Sequence, residues 1–368
     1  MKVLHVINNL GSGGAEKLIE ETIPLLNQVK GIKVDVLLLT DKNNVFQKSL
    51  EQRNVSVDII GLKNIYNPLN ILRLKKYIDK GGYNIVHSHL FPSQYWVGIT
   101  KQLIKYQSIK FVTTEHSNNN RRRDKPYFRP IDKYIYSKYD TIICITDKVR
   151  SNLIEWIKPN QKESNKFIVI NNGVNIKKYS EAIPYKKSEI CDIFTEQTKL
   201  ICMVGRFSEA KDHPTLIRTM DYLPNNIHLL LVGEGPLKHE YENLSKEIKV
   251  SDRIHFLGFR DDIDRILKTS DVIVLSSHWE GLSLASIEAM ASGKPFVASR
   301  VPGLEEIVDG YGLLFTEGDS EELSKIIYKL LNDDDFYKRV SNNCSIRAND
   351  FSIDVMVDSM ISTYKRLI

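Results

Sequence analysis

Two glutamates eight positions apart bound the stretch Glu280-Gly281-Leu282-Ser283-Leu284-Ala285-Ser286-Ile287-Glu288. A carboxylate offers two acceptor oxygens, which suits vicinal hydroxyls. Between the two acids, Gly281, Leu282 and Ser283 present backbone N–H groups at the start of a helix, a natural cradle for phosphate. Together these groups suit a sugar nucleotide, with hydroxyls at the two acids and a diphosphate between them. Two cations fit the same chemistry. Arg206 and Lys211, in Gly205-Arg206-Phe207-Ser208-Glu209-Ala210-Lys211-Asp212, would neutralise charge growing on a departing diphosphate, Arg bidentately and Lys as a compact point charge.

These residues must be positioned by strands and the turns that follow them. The apolar, β-branched run at 271–275 predicts a buried strand, and 285–292 predicts a helix that ends at Gly293 before Pro295. Glu280 then lies at the carboxyl end of a strand, and Glu288 just beyond the first turn of the helix. Strand patterns recur at 3–7, 34–39, 85–87, 111–114, 141–145 and 167–170, and again at 200–204, 228–232, 254–257, 272–275 and 295–298. Strands alternating with helical patterns imply parallel sheets covered on both faces, whose strand ends are where ligands bind. A polar stretch at about 180–198 separates two such halves.

The run from Glu280 to Glu288, continued by Ala289-Met290-Ala291-Ser292-Gly293-Lys294-Pro295, resembles the E-x7-E signature of the retaining, nucleotide-sugar-dependent glycosyltransferases of group 1, family 4. The resemblance implies an α/β architecture of the GT-B type, two Rossmann-like parallel-sheet domains facing across a cleft. It divides the chain into an acceptor-side domain at 1–185 and a nucleotide-sugar domain at 186–352, with the last helix, from about 353 to 368, packing back on the first. It also implies a metal-independent transfer, with no cofactor beyond the donor, in which Arg206 and Lys211 replace the cation other transferases use. Glu288 is expected to hold the ribose hydroxyls, and Glu280 and His116 to position the transferred sugar. The loop containing Phe259 and Arg260 is expected near the nucleotide base. A UDP-sugar carrying a hexose or N-acetylhexosamine is the expected donor. The acceptor is expected to be a lipid-linked saccharide in bacterial polysaccharide or glycan assembly.

Gly11-Ser12-Gly13-Gly14 follows the first strand and opens a helix, so Gly13 and Gly14 are expected to let backbone approach the donor closely. Position 16 is Glu16, which breaks the dinucleotide fingerprint and disfavours a dehydrogenase, and no phosphate loop of the kinase type occurs. Pro24 is expected to kink the helix. Asp262-Ile263-Asp264 has the spacing of a metal-binding acid pair but begins a predicted helix, where acids are ordinary, so it reads as structural. His87 and His89 are spaced like a metal pair without an evident third ligand, so no metal site is expected.

Composition sets the outer limits. The 368 residues allow two domains, and hydrophobic and charged contents of 42% and 26% are ordinary for a soluble protein. No apolar run or leader pattern marks a membrane span or signal peptide, and the four cysteines show no metal spacing. A cytoplasmic protein, peripheral at the inner face of the plasma membrane, is expected. Residues 1–200 carry a net charge of +13 and residues 201–368 one of −8. In the basic half, Arg121-Arg122-Arg123-Asp124-Lys125-Pro126-Tyr127-Phe128-Arg129 alternates cations and aromatics, a pattern that suits either contact with an anionic membrane surface or a solvated loop and helix face. Nothing resembles a nucleic-acid module. Two further readings stay open: a sugar-nucleotide epimerase on the same scaffold, and a non-catalytic partner subunit that binds a nucleotide sugar.

Overall fold

A computed structural model describes residues 1–61, 64–106, 108–117, 122–280 and 283–368. The chain divides into two compact units, Met1–Gly173 with Ile353–Ile368, and Val174–Ser352. The division falls after Gly173 rather than at 185, because 174–185 is tied into the second unit. The Tyr185 N–H donates to Thr269 Oγ1 (2.8 Å), and Arg265 and Lys268 donate to the carbonyls of Ile183 and Ser180. The polar stretch at 180–198 is likewise packed rather than free, with Lys187 Nζ on the Thr198 carbonyl (2.6 Å) and on Asp271 (3.0 Å).

The first unit is built on seven parallel strands: β1 (Lys2–Ile7), β2 (Lys33–Leu38), β3 (Val57–Ile59), β4 (Ile85–His89), β5 (Lys110–Glu115), β6 (Thr141–Cys144) and β7 (Phe167–Val169). Their order in the sheet is β3-β2-β1-β4-β5-β6-β7, so the strand order reverses between β1 and β4. Alternate residues of each strand feed opposite faces. Leu4, Val6, Val86 and Phe111 pack on one side with Tyr139, while Val3, Ile7, Ile85 and Val112 pack on the other. The second face is covered by the helices Gly14–Gln28 and Ile353–Leu367, the latter burying Met356, Met360 and Tyr364 against it. The helix Gly14–Gln28 runs through Pro24. The Glu20 carbonyl, four residues before the missing N–H, accepts instead from the Arg53 guanidinium (3.3 Å), whose charge also pairs with the Glu20 carboxylate.

The second unit has six parallel strands: β8 (Lys199–Val204), β9 (Ile227–Val232), β10 (Ile254–Gly258), β11 (Val272–Leu275), β12 (Phe296–Ser299) and β13 (Leu313–Phe315). Their order is β10-β9-β8-β11-β12-β13, reversing between β8 and β11. A single core runs through this sheet and its helices, from Leu200 and Leu229 to Ile287 and Phe351. The two strands that periodicity did not reveal, β3 and β13, are three-residue edge strands. β7 is as short and also lies at an edge, but its apolar run continues as Phe167-Ile168-Val169-Ile170, whereas Asp58 interrupts β3 and the run of β13 stops at Leu313-Leu314-Phe315. Among the described residues no helix is long and apolar enough to cross a membrane.

Candidate functional site

In the second unit, the loops after β8 and β11 emerge side by side where the strand order reverses, the place where open parallel sheets bind ligands. Lys211 and Glu280, 69 positions apart, meet there as an ion pair with side chains 20% and 11% exposed. Ser277 Oγ donates to the same Glu280 oxygen, Oε1, at 2.8 Å. Among the described residues nothing else occupies Oε2, which leaves an acceptor for a hydroxyl. The two loops are pinned together by backbone. The His278 N–H donates to the Ala210 carbonyl (2.9 Å), and Ser276 Oγ donates to the Asp212 carbonyl (2.7 Å). His278 itself lies between Glu317 (2.6 Å) and Asp212 (3.7 Å).

Arg206 is exposed, and among the described residues its guanidinium has no partner. In a loop whose other cation, Lys211, is already paired, an unpaired cation is the group best able to take up new negative charge. Glu288 is buried on the helix Leu284–Ala291 at 6% exposure. That helix carries no acid in its first turn. Ser283 is its N-cap and caps with no side-chain bond. Gly281 and Leu282 lie outside the described residues. Phe259 follows β10 and is 69% exposed. Arg260 is committed to Asp262, donating through Nε at 2.8 Å and through a terminal nitrogen at 2.5 Å. The Arg260 guanidinium holds the Asp262 carboxyl well below the usual carboxylate range, with the Tyr185 hydroxyl adding to the effect. That carboxylate precedes the helix Ile263–Thr269.

Two glycines absent from the sequence reading shape this end of the sheet. Gly233 (φ +141°) and Gly235, in Val232-Gly233-Glu234-Gly235-Pro236, let the β9 loop lie against the β8 loop. A Cβ on Gly235 would collide with the backbone of Phe207, and one on Gly233 with the carbonyl of Gly205. Backbone bonds from Gly205 to Val232 (2.9 Å) and from Phe207 to Glu234 (3.2 Å) close the seam. A glycine pair directly after a predicted strand was the available signal.

In the first unit, Gly13 is the N-cap and Gly14 the first residue of the helix after β1. A Cβ on Gly14 would meet nothing within 4 Å, so neither packing nor a positive φ accounts for that glycine. His116 follows β5. Its Nε2 lies 3.1 Å from His89 Nδ1, and burial lowers its pKa to about 4, so the ring is neutral near pH 7. The pair His87 and His89 does have a third imidazole beside it. His5, on β1, brings ring nitrogens of all three within 4.8 Å of one another. It was hidden inside the apolar run Val3-Leu4-His5-Val6-Ile7, which reads as core. All six of these nitrogens already have hydrogen-bond partners, so the cluster does not fit a metal without breaking them.

The basic segment does not form one outward face. Arg122 is buried with its guanidinium over Phe91 (4.2 Å) and Tyr95 (4.8 Å), and Arg123 pairs with Glu115 at 3.4 Å. These are inward contacts between cations, aromatic rings and buried acids, and they leave Lys125 and Tyr127 exposed. Arg121 lies outside the described residues.

The chain matches two family models, "Glycosyltransferase Family 4" over residues 12–178 and "Glycosyl transferases group 1" over 192–346. It is 27% identical to the UDP-Gal:alpha-D-GlcNAc-diphosphoundecaprenol alpha-1,3-galactosyltransferase of Escherichia coli, over 80% of this chain and 78% of that one. It is 25% identical to a Campylobacter jejuni 4-alpha-N-acetylgalactosaminyltransferase acting on N-acetylgalactosamine-N,N'-diacetylbacillosaminyl-diphospho-undecaprenol, over 94% of both chains. Among solved structures, Anabaena Alr3699/HepE in complex with UDP superposes with a TM-score of 0.83 at 20% identity, covering both chains in full, and shares the GT-B fold.

Proposed function

We propose that this chain, which belongs to the group 1, family 4 glycosyltransferases, moves a sugar from a UDP-sugar to a hydroxyl of a lipid-linked saccharide, with retention and without a metal ion. The observation that carries the reading is the exposed Arg206, unpartnered among the described residues, in the same post-β8 loop as Lys211, whose ammonium pairs with Glu280 where the strand order of the second sheet reverses. As the bond between the sugar and the diphosphate breaks, negative charge builds on the leaving oxygens. Arg206 and Lys211 meet it with positive charge, an effect larger in the transition state than in the ground state. Glu280 accepts from a hydroxyl of the transferred sugar through Oε2 while Lys211 and Ser277 hold Oε1 in place. Glu288 holds the ribose hydroxyls, and His116 orients the sugar as a neutral imidazole. Retention is supported by the resemblance of 280–295 to the E-x7-E signature. The lipid-linked acceptor and the UDP donor are supported by the relatives and the structural neighbour that carry those molecules in their names.

The test is thermal unfolding with UDP, GDP, ADP or NAD, each in the presence of EDTA, followed by transfer from UDP-sugars to a polyprenyl-diphosphate saccharide. At about 100-fold over its dissociation constant a true ligand adds about 2.7 kcal/mol of stability. A shift with UDP alone under chelation, and product only when acceptor is added, is the expected result. Sugar-nucleotide conversion without acceptor would identify an epimerase, and binding without any turnover a partner subunit.

A further inference from the structure

Strand periodicity and register place His5, His87, His89, Thr114 and His116 on one face of the adjacent strands β1, β4 and β5, continuing past the end of β5. The helix Ile353–Leu367 lays Tyr364, fully buried, over that face. The side chains form one unbranched chain of contacts. His116 Nε2 meets His89 Nδ1 (3.1 Å), and His89 Nε2 meets His5 Nδ1 (3.0 Å). His5 Nε2 meets the Tyr364 hydroxyl (3.1 Å), the hydroxyl meets His87 Nδ1 (2.6 Å), and His87 Nε2 meets Thr114 Oγ1 (2.7 Å). Burial holds all four imidazoles far below their ordinary pKa, so each is neutral and carries one donor and one acceptor nitrogen.

Each imidazole donates once and accepts once, so turning one ring turns the next. Tyr364 must pass the direction on as well, since accepting from both His5 and His87 would leave its fully buried proton without an acceptor among the described residues. The chain therefore runs one way or the other. Its far end selects between them. Thr114 is buried, and among the described residues its hydroxyl proton has no acceptor other than His87 Nε2. Were His87 to donate to Thr114, that proton would be left buried and unbonded, which is unfavourable. So Thr114 donates to His87 Nε2, and His87 Nδ1–H donates to Tyr364. Tyr364 then donates to His5 Nε2, His5 Nδ1–H to His89 Nε2, and His89 Nδ1–H to His116 Nε2. His116 is left with its proton on Nδ1. Among the described residues that nitrogen has no partner.

We infer that Tyr364 and Thr114 are positioning residues which, through the buried histidine chain, lock His116 as an Nδ1–H donor for a hydroxyl of the transferred sugar. The tautomer lock follows from the first unit alone, and the role of the donor rests on the function proposed above.

The experiment is long-range ¹H–¹⁵N correlation on the full chain labelled with ¹⁵N-histidine, with initial rates of sugar transfer measured on the same variants. Nδ1–H tautomers at His5, His87, His89 and His116 are expected. Tyr364→Phe removes the central hydroxyl and Thr114→Val the terminal proton. In each, His116 should become a mixture of tautomers, and kcat should fall about 3–10-fold with little change in donor KM, as loss of one oriented hydrogen bond does. Melting temperatures of both variants identify any that misfold, and the wild-type spectrum is decisive without them. An Nε2–H tautomer at His116 in the wild type, or an unchanged tautomer in folded Tyr364→Phe, overturns the inference. So does stoichiometric metal in protein purified without chelator, since ligation would replace the chain of hydrogen bonds. His116→Ala with unaltered transfer would instead refute the catalytic placement of His116 while leaving the tautomer result standing.

Discussion

Replacing Lys211 with Ala separates what the Lys211–Glu280 pair does for folding from what it does for chemistry. The pair is partly buried, with side chains 20% and 11% exposed. Exposed pairs contribute about 0–1 kcal/mol, whereas breaking a fully buried pair costs about 3–5 kcal/mol. Hydrogen bonds to charged groups lie between, at about 1.5–3 kcal/mol. Ser277 still donates to Glu280 Oε1 after the substitution, so the expected loss is about 2 kcal/mol. For a unit of this size that is a fall of about 4–8 °C in melting temperature. Arg206 is exposed and unpartnered among the described residues, so Arg206→Ala should stay within about 0.5 kcal/mol of wild type. Both variants should nevertheless slow transfer by about 10²–10³-fold, as loss of a preorganised group at developing charge does. Differential scanning calorimetry reads the first quantity, and initial rates at saturating donor and acceptor read the second. Near-wild-type turnover in both variants would remove these cations from the mechanism. An Arg206→Ala protein that melts as early as Lys211→Ala would refute the view that Arg206 is held free for the ligand.

Three other outcomes follow from the packing and the titrating groups. Gly235→Ala puts a Cβ 2.6 Å from the Phe207 nitrogen, so chemical denaturation should show a loss of about 1–3 kcal/mol; a neutral result would mean the β8 and β9 loops separate easily. Gly14→Ala has open space, so the melting temperature should hold or rise, by about 0.4–1 kcal/mol of stability, while UDP-sugar affinity falls. Unaltered affinity would place Gly14 away from the donor. His5 and His116 have folded pKa values lowered by burial from 6.5 to about 3 and about 4. The unfolded chain therefore binds protons first as pH falls, and stability is full above pH 6.5 and declines from there toward pH 4. Each such imidazole steepens the decline by up to about 1.4 kcal/mol per pH unit. Urea midpoints that do not move between pH 7 and pH 5 would contradict the buried, neutral cluster.

Sequence alone determined the features that are local along the chain. Short apolar runs separated by helical patterns identified eleven of the strands, each overlapping one in the structure, and so the parallel α/β class. Strand ends marked Arg206, His116 and Glu280 as loop residues, and the helix carrying Glu288 begins and ends within a residue of its prediction. These features depend on propensity and period over about ten residues, which a single sequence records directly. The tertiary structure decided which loops meet. Lys211 reaches Glu280 across 69 positions because β8 and β11 are neighbours, and His5 reaches Tyr364 across 359 because the last helix covers β1. It also turned Arg122 and Arg123 inward, although their spacing looked like a surface pattern. Strand order and register arise from burial summed over a whole sheet, and no window of sequence contains that sum.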